Sequence, residues 1–219
     1  MNTFIKKTGT VKLFWEDPYL SENTATVTSA EGDTVTLDCT VAYPFSGGQA
    51  SDTGTIGGIK IAEARKEGMD IIYSLPGNTL KEGDRVRVII DWGKRYRIMR
   101  LHFAAELVLE LINQYYGHPD KAGANINEDK ARLDFEWEGN IQEILPGIGE
   151  KIKKMVEADL PVKSSFDDLE NEERSWEIDG FAKVRCCGTH IKSTGEIGNV
   201  MLKRKNPGKG MERIEIYLA

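Results

Sequence analysis

Arg85-Val86-Arg87-Val88-Ile89-Ile90-Asp91-Trp92-Gly93-Lys94-Arg95-Tyr96-Arg97-Ile98-Met99-Arg100-Leu101-His102 contains the change of hydrophobic period that decides the fold. Up to Asp91 apolar and charged residues alternate, the two-residue period of a strand with one buried face. From Lys94 the residues Ile98, Leu101, Ala105, Val108, Ile112 and Tyr115 recur at three- and four-residue spacing. That is the stripe of a helix of about 20 residues, and Gly117-His118-Pro119 supplies its stop. Upstream, Ala25-Thr26-Val27-Thr28 and Thr34-Val35-Thr36-Leu37-Asp38-Cys39 alternate in the same way. Glu31-Gly32-Asp33 and Glu82-Gly83-Asp84 mark turns, and many short strands with such turns suggest a small barrel or sandwich. Downstream, Ile144, Ile148, Ile152 and Met155 form a second helical pattern, which Pro146-Gly147 must interrupt or restart. Strand-like pieces lie at Ala131-Arg132-Leu133-Asp134-Phe135, Phe181-Ala182-Lys183-Val184-Arg185 and Arg213-Ile214-Glu215-Ile216-Tyr217. The expectation is an α+β protein: a β domain with a Gly-rich loop over residues 1–92, and a helix-and-sheet domain over 93–219.

With 219 residues, 40% hydrophobic and 29% charged, the chain has the composition of an ordinary globular protein. No apolar run reaches the length of a membrane span, and Met1-Asn2-Thr3-Phe4-Ile5-Lys6-Lys7 has no signal-peptide core. Three cysteines, two of them adjacent, do not make a disulfide framework, so a reducing cytoplasm is expected. A net charge of −6 argues against a protein that wraps nucleic acid through bulk electrostatics, and no DNA partner is expected. Basic residues nevertheless cluster at Lys94, Arg95, Arg97 and Arg100, and again at Lys203, Arg204, Lys205, Lys209 and Arg213. Such local patches on an acidic chain suit a small RNA end, although a solvated face explains most charge runs.

Cys186-Cys187-Gly188-Thr189-His190 places a thiol and an imidazole four residues apart across a glycine that permits a turn. Within the helix, His102 and Glu106 stand at i and i+4 and project from one face. Sulfur, nitrogen and carboxylate oxygen are all zinc ligands, so the two pairs together predict one zinc site closed by a helix and a turn. Each pair has a plain structural alternative: a core histidine, a buried thiol, a carboxylate on the helix surface. Cys186 has the four-residue spacing to His190, and Cys187 does not. Gly47-Gly48, in Tyr43-Pro44-Phe45-Ser46-Gly47-Gly48-Gln49, offers backbone N–H groups to a phosphate or ribose, or is simply a tight turn.

Taken together, Asp17-Pro18-Tyr19-Leu20, Thr40 through Gly54 with its Gly-Gly-Gln-x-x-Asp-x-Gly element, Asp91-Trp92, Arg95, Met99-Arg100, His102, Cys186-Cys187-Gly188-Thr189-His190 and Thr194-Gly195-Glu196-Ile197-Gly198 resemble the AlaX-type alanyl-tRNA editing proteins. These are free-standing relatives of the editing domain of alanyl-tRNA synthetase, and the likeness covers almost the whole chain. The resemblance implies a small N-terminal β-barrel joined to the editing domain shared with threonyl-tRNA synthetase, as in the medium-length class. It implies ATP-independent hydrolysis of mischarged tRNA(Ala), chiefly seryl-tRNA(Ala) and secondarily glycyl-tRNA(Ala), with one zinc ion per chain. Carried over, the ligands are His102, Cys186 and His190, with Glu106 where the family has a second helical histidine. Thr40 and Gln49 fall at catalytic positions, and Gly47, Gly48, Arg95, Arg100 and Lys183 at positions facing the acceptor end of tRNA. Phe103 and Cys187, like Glu106, depart from the family pattern. Those departures keep two alternatives in view: a tRNA-binding or regulatory module without hydrolysis, and an editing enzyme for another mischarged tRNA. No obligate protein partner is expected.

Overall fold

A computed structural model describes residues 9–208 and 210–219 of the chain. The Met1–Lys7 stretch read for a leader, and Lys209 of the second basic cluster, lie outside the described residues. The chain divides into two compact units, one of residues 1–46 and 50–96, the other of 47–49 and 97–219. The Gly47–Gln49 loop thus belongs with the second unit.

The first unit is built of β1 (Val11–Lys12), α1 (Leu13–Glu16), β2 (Glu22–Glu31), β3 (Thr34–Leu37), β4 (Cys39–Thr40), β5 (Gly54–Ile56), β6 (Ile59–Lys60), β7 (Glu63–Glu67), β8 (Asp70–Ser74) and β9 (Arg85–Ile90). Seven strands make one sheet in the order β6-β5-β9-β2-β3-β8-β7, and β1 pairs in parallel with β4. β2 joins the two halves of the large sheet. It pairs with β9 through Glu22–Thr26 and with β3 through Val27–Glu31, and the register shifts between Val27 and Ser29. A bulge there bends the strand and increases its twist, so the small barrel expected from the turns takes the form of a curled sheet. Among the described residues its end strands β6 and β7 are not paired with each other. Alternate residues such as Val86, Val88 and Ile90 of β9 point into a core shared with Val27, Val35, Leu37, Ile71 and Tyr73.

α2 (Trp92–Tyr116) starts directly after β9 and runs for 25 residues, ending before Gly117, which adopts φ +80°. A left-handed residue just past a helix is a usual stop, and glycine takes it without strain. The expected apolar stripe is only part of the truth. Leu101, His102, Phe103, Ala104 and Ala105 are all buried in succession, so the middle of α2 is enclosed on every side. Tyr115, placed on the stripe by its spacing, is exposed in the last turn.

Beyond α2 the second unit holds β10 (Lys121–Ile126), β11 (Ala131–Glu136), α3 (Leu145–Glu157), β12 (Lys163–Asp168), β13 (Glu173–Ile178), β14 (Ala182–Arg185), β15 (Val200–Gly208) and β16 (Met211–Leu218). One antiparallel sheet runs β10-β11-β16-β15 and a second β12-β13-β14. α3 buries Leu145, Ile148 and Ile152. Pro146 does not break this helix but sits in its first turn, where the N–H it lacks has no intrahelical acceptor in any case. Among the described residues no helix is long and apolar enough to cross a membrane.

Candidate metal centre

The centre is assembled inside the second unit from the buried middle of α2 and the turn after β14. Cys186 still extends the pairing of β14 with β13, its N–H donating to the Arg174 carbonyl at 2.9 Å. The chain then leaves the sheet through Gly188. A Cβ at that position would lie 1.8 Å from His102 Cε1 and 2.5 Å from Nδ1, so only glycine lets the turn lie against the imidazole. Gln49 fixes the next residue. Its Nε2 donates to Thr189 Oγ1 at 2.9 Å, and its Oε1 accepts from the Thr189 N–H at 3.2 Å. Gln49 and Thr189 are both about 1% exposed, so this pair of hydrogen bonds is shielded from water.

His102, Cys186 and His190 then offer ligand atoms that all lie within 4.8 Å of one another. Cys186 Sγ is 3.4 Å from His102 Nε2, and Glu106 Oε1 approaches the same Nε2 at 3.4 Å. A tetrahedral zinc with nitrogen and oxygen at about 2.0–2.1 Å and sulfur at about 2.3 Å separates neighbouring ligand atoms by about 3.3–3.6 Å. Both separations match an edge of such a shell. His190 is oriented by Ser164, whose Oγ lies 3.0 Å from Nδ1, while its buried Nε2 has no hydrogen-bond partner among the described residues. A buried imidazole nitrogen without a partner is costly unless something binds it. The donor set, its spacing and this orphaned nitrogen therefore fit a metal ion. Glu106 stands beside the three-residue group rather than within it. Its other oxygen, Oε2, accepts from the Trp176 indole N–H at 2.8 Å.

The electrostatics agree with a cation site. Burial lowers the pKa of His190 to about 3, helped by the charge on His102, so its imidazole is neutral and ready to ligate. Burial opposes charge on His102 as well, but the sulfur of Cys186 and the carboxylate of Glu106 outweigh it and raise His102 to about 10. Partial burial works against charge on Glu106 too, yet His102 and the Trp176 hydrogen bond bring its carboxyl down to about 2. Positive charge is thus held at the point where a metal would stand.

Residues 177–215 match the family described as the threonyl and alanyl tRNA synthetase second additional domain. The chain is 32% identical over 214 residues to the alanyl-tRNA editing protein AlaX-M of Pyrococcus horikoshii, covering 95% of this chain and 98% of that one. The chain belongs to the AlaX-M editing family. An AlaX-M protein of Methanosarcina barkeri is also 32% identical, with 95% of this chain and 99% of the relative covered. The alanine–tRNA ligase of Methanocorpusculum labreanum is 34% identical over 94% of this chain, which corresponds to 25% of that enzyme.

The remaining residues singled out from sequence lie outside the His102–Cys186–His190 group. Cys187 is exposed, and its Sγ faces the Glu172 carbonyl at 3.5 Å. Gly48, at φ +86°, packs on the backbone of Ala124, where a Cβ would lie 2.7 Å from the carbonyl oxygen. Gly47, at φ +59°, has open space about its Cα. Arg95, expected at tRNA, is fully buried in the first unit. Its guanidinium forms a bidentate pair with Asp52 and donates to the Val41 and Pro18 carbonyls. The reason is that Asp52, itself buried and bonded to the Tyr43 N–H at 2.6 Å, needs a cation to be tolerated inside. Arg100 donates to the Ile197 carbonyl at 2.8 and 3.2 Å, and Lys183 pairs with Asp167 at 2.7 Å. Thr40 lies wholly inside the first unit, its hydroxyl 2.8 Å from the Tyr73 hydroxyl and 3.0 Å from the Ala42 N–H it accepts. Sequence reading missed Ser164 and Trp176, which touch the histidine and carboxylate from β12 and β13 and carry no local motif.

Proposed function

We propose that the protein hydrolyses mischarged tRNA(Ala), chiefly seryl-tRNA(Ala) and secondarily glycyl-tRNA(Ala), in the cytoplasm, using one zinc ion held by His102, Glu106, Cys186 and His190. The observation that carries this reading is the His102–Cys186–His190 group, two buried histidines and a half-buried thiol, with its unpartnered His190 nitrogen. Relatives named for alanyl-tRNA editing supply the substrate class. Zinc, when bound, supplies a Lewis acid for the ester carbonyl and lowers the pKa of water towards about 7. Ser164 engages His190 at Nδ1 and so orients the ring with Nε2 left to ligate, and Gln49 holds the turn that carries both Cys186 and His190. Water adds its oxygen to the ester carbon, and the ribose oxygen departs with the bonding electrons and takes up a proton. The products are free serine and tRNA(Ala). Gly47, Gly48, Arg100 and Lys183 are assigned to the acceptor end, whereas Arg95 acts from inside by fixing Asp52.

Serine release from seryl-tRNA(Ala) by the purified protein, measured with and without a chelator, tests the reading together with metal content. Chelator-sensitive release and zinc near one per chain are expected. A metal-free native protein with no release above buffer would instead support a binding module. Discrimination against alanine requires a site that demands the serine hydroxyl, and Thr40 is proposed for that role. Its O–H goes to Tyr73, which itself donates to the Ala42 carbonyl, and one lone pair accepts from Ala42, leaving a second lone pair. Thr40→Val is expected to lower hydrolysis of seryl-tRNA(Ala) up to about tenfold more than that of glycyl-tRNA(Ala), the worth of one net hydrogen bond. Equal loss on both substrates would assign Thr40 to the fold of the first unit alone.

A further inference from the structure

Glu106 is held at both ends of its carboxylate. Oε1 lies 3.4 Å from His102 Nε2, and Oε2 accepts from the indole N–H of Trp176 at 2.8 Å. Trp176 is fully buried on β13, edge-on to Phe103 at 5.2 Å between ring centroids. Phe103 is in turn edge-on to His190 at 5.8 Å. An indole N–H is a donor only, and when buried it needs an acceptor. A carboxylate meets that need with one oxygen and keeps the other for a cation. A metal-bound imidazole at position 106 does not, because its second nitrogen carries hydrogen and would face another donor. Phe103 and Glu106 are therefore neighbours of one indole.

We propose that Trp176 is a positioning residue that holds Glu106 by Oε2 and aims Oε1 at the metal as a one-oxygen ligand, so that the indole–carboxylate pair sets the affinity and selectivity of the centre. This rests on the metal reading of His102, Cys186 and His190 given above. Groups that orient metal ligands are commonly worth about 10–100-fold in affinity. A carboxylate also favours harder cations than imidazole does, so the pair should narrow the preference for zinc over manganese.

The test is metal titration of the chelator-stripped full chain with zinc and with manganese, in the parent, Trp176→Phe, Glu106→His and the double variant. Trp176→Phe keeps a ring of similar packing and deletes the donor. Its zinc affinity is expected to fall about 10–100-fold, whereas in the Glu106→His background the same change should cause no loss or a small gain. Glu106→His should widen the zinc-over-manganese ratio. In the parent, the Nε1–H resonance that disappears in Trp176→Phe should shift when zinc is added. Unchanged zinc affinity in Trp176→Phe, or an equal loss in the Glu106→His background, overturns the proposal and leaves the metal reading intact. A parent chain that takes up no zinc overturns both. Should Trp176→Phe fail to fold, Glu106→Gln serves, since its amide oxygen keeps the indole bond and its NH2 faces the metal. It should lose zinc affinity by the same range, and parental affinity in that variant overturns the proposal.

Discussion

Cys186 and Cys187 share a backbone but not an environment. Cys186 Sγ is 3.4 Å from a buried imidazole, while Cys187 is exposed and turned to a carbonyl. Cys186→Ala and His190→Ala are each expected to abolish zinc binding and hydrolysis together, and Cys187→Ala to leave zinc stoichiometry at the parental value. Metal analysis of the three purified variants checks this, and equal loss in all three would mean the wrong sulfur was assigned. The protonation state of His102 yields a second prediction. Its folded pKa of about 10 lies above the unfolded value of about 6.5. In the metal-free chain its stabilising contribution is complete below about 6.5 and is lost as pH rises through about 10. Zinc must displace that same proton. Its affinity should therefore rise about tenfold per pH unit, or about 100-fold between pH 6 and pH 8, while metal-free stability declines from pH 7 to 10 relative to a His102→Gln variant. Titrations and melting curves at matched pH read the two opposite slopes.

At the scale of elements, α2 was legible because its period differs from that of β9, and β9 because strict alternation needs one buried face. What the pattern did not disclose is that α2 is enclosed around its middle. Leu101 to Ala105 contains no charge, and a run that short is equally consistent with a broad stripe. α3 carried an ambiguous signal for a similar reason, since Pro146 reads as a breaker unless the helix is known to start beside it. Arg95 was the most misleading residue. Four basic residues near a helix start resemble an anion site, yet Arg95 points inward to Asp52, a partner 43 residues earlier in the chain. A buried pair broken from one side leaves an uncompensated charge, at a cost of about 3–5 kcal/mol. Asp52→Ala should lower stability by about that amount in denaturant unfolding. The loss should be nearly independent of salt, because neither side chain reaches solvent.

Across the whole molecule, the distance along the chain decides which parts of the centre a sequence reveals. His102 with Glu106 and Cys186 with His190 each fit within four residues, so their spacing is visible. Ser164 and Trp176 reach their partners from 26 and 70 residues away with no local pattern to mark them, whereas Gln49, 140 residues from Thr189, is marked by the Gly-Gly-Gln element but not by any sign of its partner. The same long-range closure links metal to folding. The proposed ligands, drawn from α2 and from the turn after β14, come together only in the folded second unit, so a zinc ion held there would bind the native chain in preference to the unfolded one. Stabilisation then follows mass action, about 4 kcal/mol when free zinc is 1,000 times Kd. For a chain of this size about 1 kcal/mol moves the midpoint by roughly 2–4 °C, so saturating zinc should raise it by about 8–16 °C. Calorimetry of the stripped chain across a zinc series measures the rise, and Cys186→Ala is the control that should show none. A parental midpoint that stays fixed from zero to saturating zinc would mean that His102, Cys186 and His190 are a buried polar cluster that holds no ion.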